Sequence, residues 1–74
     1  MYKTDPSMST RLAEEIWRSQ YSNKQLAYKI GCNPATVSYW LSGGGIPHAY
    51  YLARFHKIGF DVIYILTGER TRND

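Results

Sequence analysis

Between Ser22 and Gly43 the sequence SNKQLAYKIGCNPATVSYWLSG sets helix start and stop signals so close together that two short helices and a tight turn fill the stretch. Ser22 suits an N-cap, because its side-chain oxygen can accept from a backbone N–H of the first turn. Gly31 suits the left-handed residue that closes a helix. Asn33 caps again, and Pro34 follows at the first helical position, where its missing N–H costs nothing. The run Gly43-Gly44-Gly45 cannot continue the second helix. Within these limits Leu26, Ala27 and Ile30 form one apolar face at helical spacing, and Val37, Trp40 and Leu41 form another.

The flanking sequence reads as three more helices. Residues 1–8 read as a polar arm, with Asp5-Pro6 favouring a turn. Ser9 or Thr10 is expected to cap a first helix running to about Gln20, with Glu14 and Glu15 early in it and Leu12, Ala13 and Ile16 facing inward, flanked by Trp17. Pro47 is expected to open a fourth helix reaching Ile58, with Ala49, Leu52, Ala53 and Phe55 or His56 turned in part to the core. Asp61 caps a fifth, Val62 to Leu66, ended by Thr67-Gly68. The run Val62-Ile63-Tyr64-Ile65 has β propensity, but its Asp cap and Gly stop favour a helix. The expected domain spans residues 9–68, and residues 69–74 read as a polar, frayed tail.

A chain of 74 residues with 43% hydrophobic residues is expected to fold as one domain with a small core. It has no apolar run near membrane-spanning length, and its start lacks a signal peptide's apolar centre. With one cysteine, Cys32, the expected home is the cytoplasm of a bacterial cell or phage-infected host. Cys32 reads as a small buried hydrophobe. No Cys/His set has metal-ligand spacing, and neither a cofactor nor a small-molecule ligand is expected. Glu14 and Glu15 are adjacent, so on a helix they point apart and make no acid pair. No nucleophile–base pair or phosphate loop is present, which argues against an enzyme. The net charge is +3, but no acidic residue stands between Ile16 and Phe60, an interval that carries Arg18, Lys24, Lys29, Arg54 and Lys57. Such a field attracts a polyanion.

The residues Gln25-Leu26-Ala27, Gly31, Val37-Ser38, Trp40 and Gly43, followed by Pro47, Gly59-Phe60-Asp61-Val62 and Tyr64-Ile65-Leu66-Thr67-Gly68, resemble the phage repressor and Cro-like helix-turn-helix family, also called XRE. The resemblance covers about Leu12 to Gly68. It implies an all-α, compact five-helix, lambda-repressor-like domain with its helix-turn-helix at helices 2 and 3. It implies sequence-specific binding of double-stranded DNA by homodimers on inverted-repeat operators, with the third helix, about residues 34–42, in the major groove. The chain departs from the family's habits at four places. Asn23 stands where Gln is frequent, Pro34 where Gln or Arg is, Leu41 where Glu is, and glycines replace a basic loop.

Ala27 and Gly31 are read as geometric, allowing two helices to cross closely. With Val37, Trp40 and Leu41 inward, Ala35, Thr36, Ser38 and Tyr39 face outward. Ala35 can meet a thymine methyl, Tyr39 a base edge, phosphate or sugar, and Thr36 and Ser38 phosphate oxygens. Asn33 and Pro34 complete that face. Ser22, Asn23 and Lys24 lie at a helix N-terminus, which favours phosphate. Gly44 is expected to offer a free backbone amide to phosphate, with His48 near the same edge. Tyr28, Tyr50, Tyr51 and Tyr64 read as core edges or interface residues. Phe60, Ile63 and Leu66 are the expected dimer contacts, Val62 and Ile65 taking the core side.

The expected function is that of a phage-type transcriptional regulator. With few donors at the front of the recognition helix, Tyr39, backbone amides and DNA shape carry much of the specificity. The alternative is the same fold acting as an antirepressor or antitoxin that grips a partner protein.

Overall fold

The computed structural model of the chain describes residues 6–70, which form five helices and no strand. They are α1 (Pro6–Ser19), α2 (Asn23–Ile30), α3 (Pro34–Leu41), α4 (Ala49–Lys57) and α5 (Val62–Thr67). None is long and apolar enough to cross a membrane. Helix α1 packs on α3 and α5, α2 on α3 and α4, and α4 on α5.

Helix α1 starts earlier than the sequence suggests. It begins at Pro6, so Ser9 and Thr10 lie inside it rather than capping it, and Pro6–Met8 belong to a helix rather than to an arm. Residues 1–5 lie outside the described residues. Pro6 suits the first helical position, where its missing N–H costs nothing. Arg11 donates from Nε to the Ile65 carbonyl at 3.0 Å and from Nη2 to the Leu66 carbonyl at 3.4 Å. Its guanidinium thus satisfies the carbonyl end of α5, and the turn before Leu12 gains a partner. Leu12, Ala13 and Ile16 form the buried face as expected, whereas Trp17 stands 70% exposed.

The caps of α2, α3 and α5 match the sequence. Ser22 Oγ accepts from Gln25 N–H at 3.1 Å while Gln25 Oε1 accepts from Ser22 N–H at 2.9 Å, a reciprocal capping box. Gly31 takes φ 80°, and its N–H reaches the Ala27 carbonyl. A side chain there would be strained by the backbone itself. Asn33 Oδ1 accepts from Ala35 N–H at 2.9 Å, and Asp61 Oδ1 from Tyr64 N–H at 3.0 Å.

Helix α4 begins at Ala49, two residues later than expected. Pro47 is buried in the loop, and the extended His48 stands between it and the helix, as N-cap without a side-chain cap bond. Ala49, Ala53 and His56 are exposed rather than turned to the core. The inward stripe runs through half-buried Leu52, buried Phe55 and the half-buried cap residue Ile58. Phe55 is fully buried, 5.8 Å from Trp40 and 4.9 Å from Phe60 between ring centroids.

The segment after α5 is tethered through Arg70. Its guanidinium lies 3.0 Å from Glu15 Oε2, 3.7 Å from Asp61 Oδ2 and 3.7 Å from the Tyr64 ring centroid. Arg70 therefore departs from the frayed tail expected from composition, and residues 71–74 lie outside the described residues. Glu15 is buried, with Arg18 at 3.4 Å as its second cation.

Tyr64 OH donates to Glu14 Oε1 at 2.7 Å. That bond first, then burial and the adjacent carboxylate charge, push the phenol above its ordinary value near 10. A raised folded value means that the folded chain holds this proton more tightly than the unfolded chain. The contribution is complete below about pH 10 and is lost as pH rises through the folded value. The melting temperature is expected to fall more steeply from pH 9 to pH 11 in the wild type than in Tyr64→Phe, measured by circular dichroism.

Candidate nucleic-acid interface

Helix α3 is held from behind by Val37 and Trp40, which are 0% and 4% exposed. Trp40 meets Tyr51 at 5.5 Å, edge on, and Phe55 beyond it. This anchoring turns Asn33, Pro34, Ala35, Ser38 and Tyr39 to the outside, with Thr36 partly buried beside them. No acidic residue lies on this helix or on α2. The exposed face is small and short of side-chain donors, apart from the Asn33 amide and the Ser38 and Tyr39 hydroxyls.

Asn23 and Ser38 act as one unit. Asn23 Nδ2 donates to Ser38 Oγ at 2.8 Å, tying the first turn of α2 to the middle of α3. Because Ser38 accepts this bond, its own proton is left to donate outward, toward an acceptor such as a phosphate oxygen, guanine O6 or N7, or thymine O4. The spacing of fifteen residues hid this contact from the sequence.

Other expected donors are partly spent within the fold. The Ser22 side chain and N–H serve the capping box, leaving the Asn23 and Lys24 N–H groups at the start of α2. Asn33 Oδ1 serves its cap, leaving the amide NH2. The Gly44 amide is not free: it donates to the Tyr39 carbonyl at 3.0 Å, and Gly43 N–H donates to Trp40 at 3.1 Å. The helix end closes on itself, and that local closure removes Gly44 from the expected phosphate donors. What the glycines provide is room. The Tyr39 ring lies over Gly44 and Gly45. His48 is exposed and sits 4.9 Å from the Tyr51 ring, joined through it to Trp40.

The basic field is thinner than the sequence count. Arg18 pairs with Glu15, and Arg54 lies over the Tyr50 ring at 5.8 Å. Lys29 lies over Tyr21 at 5.5 Å. Lys24 and Lys57 are exposed without an ion-pair partner among the described residues. Burial pushes the Cys32 thiol up, which keeps it protonated and suits a turn residue packed against the core. Among the described residues no group of three His, Cys, Asp or Glu is placed to hold a metal.

The expected dimer residues separate. Phe60 is 7% exposed and packs on Phe55, because the turn at Gly59 folds it under α4; it is a core residue more than a contact. Ile63 is 49% exposed and Leu66 partly so. Together with Ala49, Ala53 and His56 they line an open, largely apolar groove of about 710 Å³ between α4 and α5, with Phe60 also on its wall. Of the four tyrosines read as edges, Tyr51 and Tyr64 are partly buried, while Tyr28 and Tyr50 are 88% and 57% exposed.

No protein-family model matches this chain, and no curated protein or solved structure matches it either.

Proposed function

We propose that this chain is a sequence-specific regulator of the phage Cro/repressor type, with a lambda-repressor-like arrangement in which α2 and α3 form a DNA-binding helix-turn-helix. Helix α3 lies in the major groove of duplex DNA, and two copies read an inverted repeat with half-sites roughly 34 Å apart. The observation that carries this is the outward face of α3: acid-free, small, and fixed from behind by Val37 and Trp40. The Asn23–Ser38 bond sets α2 against it, so that Lys24 and the free amides of α2 reach a phosphate while α3 faces base edges. The apolar groove between α4 and α5 supplies the surface for the second copy.

The test is a salt titration by fluorescence anisotropy on a duplex selected from a random 30-base-pair pool and on its scramble. The logarithm of affinity is expected to fall against the logarithm of salt with slope about −0.9 per neutralised phosphate. Tyr39→Ala is expected to lose about tenfold or more of the discrimination between the two duplexes, whereas Lys24→Ala weakens both evenly and lowers the slope by about 0.9. Salt-insensitive binding, or equal preference in wild type and Tyr39→Ala, counts against these roles.

A second reading, a protein-gripping antirepressor or antitoxin, draws on the exposed Trp17 and Tyr28, residue types enriched at protein interfaces. A partner recovered by wild-type chain but lost with Trp17→Ala and Tyr28→Ala, with no duplex bound, favours it.

A further inference from the structure

The three glycines after α3 differ in what they allow. Gly43 has φ 83° and nothing within 4 Å of where a Cβ would stand, so glycine is required there by the backbone. Gly44 has an ordinary φ, yet a Cβ on it would collide with the Tyr39 ring, standing 2.9 Å from Cζ and closer to Cδ1 and Cε1. A Cβ on Gly45 would stand 3.1 Å from Cε2 and 3.2 Å from the hydroxyl, a contact the ring could relieve by moving a few tenths of an ångström. The Gly44 N–H bond to the Tyr39 carbonyl holds the loop in place under the ring. Tyr39 is still 54% exposed, with its other face and edge open to solvent.

We propose that Gly44–Gly45 is a seat that fixes Tyr39 in its reading position, making Gly44 a positioning residue for the specificity of α3. The inference rests on the duplex-reading role given to α3. A tyrosine already held in one rotamer loses little freedom on binding, and its hydroxyl meets a defined point in the groove. Immobilising a free side chain instead weakens binding by roughly two- to tenfold. The seat thus converts a neutral loop, without side-chain donors, into part of the recognition surface.

The glycine series separates these roles in the full chain. In the wild type, nuclear Overhauser contacts join the Tyr39 ring protons to the Hα protons of Gly44 and Gly45. Gly44→Ala is expected to lose those contacts and to lower discrimination between selected and scrambled duplexes by about two- to tenfold, with affinity for the scramble and helical content unchanged. Adding Gly44→Ala to Tyr39→Ala should cost no further discrimination. Gly45→Ala gives a smaller loss in the same direction. Gly43→Ala lowers the melting temperature but keeps the ring contacts and the discrimination. If Gly44→Ala alone does not fold, the Gly45→Ala result and the folded double variant carry the comparison. Wild-type discrimination in Gly44→Ala, or in Gly45→Ala where the former does not fold, overturns the seat. So do absent ring contacts in the wild type. A wild-type chain that binds no duplex overturns the DNA reading, and the recognition role of the seat with it, even where the ring contacts persist.

Discussion

Phe55→Ala is expected to cost about 3–5 kcal/mol of folding stability, the upper range for a single core truncation. The ring is fully buried, between Trp40 of α3 and Phe60 at the approach to α5. Its removal opens a cavity between Trp40 and Phe60 inside the core cluster. A chain of 74 residues has roughly 4–11 kcal/mol of total stability. The variant is therefore left marginal or unfolded at growth temperature. Urea denaturation followed by tryptophan fluorescence measures this directly, since Trp40 reports on the same cluster. A loss below about 1 kcal/mol would show that the core does not hinge on this ring. The functional cost comes through Trp40, whose packing sets the pitch of α3.

Ile63→Asp is expected to turn a dimer into monomers and to lower affinity for a two-half-site duplex by about a hundredfold or more, while leaving affinity for a single half-site nearly unchanged. Ile63 is half exposed beside Leu66 on the apolar groove, so aspartate there is tolerated by the folded monomer and rejected by a closed interface. Two linked recognition helices bind with the effective concentration of an intramolecular event, and monomers forfeit that gain. Sedimentation equilibrium gives the assembly state, and anisotropy on one-site and two-site duplexes gives the coupling. Unchanged sedimentation would remove the groove from the interface. A Phe60 substitution would not serve as well, because its burial against Phe55 makes it a stability variant first.

The helix limits that were legible in the sequence are those set by neighbours in the chain. Ser22, Gly31, Asn33 and Asp61 act on groups one to four residues away, and each does in the structure what its type dictates. The inward set Leu26, Ala27, Ile30, Val37 and Trp40 was legible for the same reason, as helical spacing alone selects it. What escaped depends on distant partners. Arg11 reaches the Ile65 carbonyl at the end of α5, and Arg70 is held by Glu15. Phe60 looked like a surface residue because the turn that tucks it under α4 leaves no periodic trace. At the candidate interface the outward residues of α3 were legible, but their mutual arrangement was not. The Asn23–Ser38 bond and the Tyr39 seat are both contacts between elements, and both change what the exposed groups can offer.

The clasp between α1 and α5 has a further meaning. Arg11 grips the end of α5 and Arg70 grips the middle of α1, so the two helices most distant in sequence are riveted in both directions. The first and last of the five helices are thereby closed on each other, with α3 packed against α1 beside them. Damage to the opening helix therefore reaches α5 and α3 together, since α1 packs directly on both. A chain frayed at α1 is thus expected to loosen both surfaces at once, the α4–α5 groove and the outward face of α3.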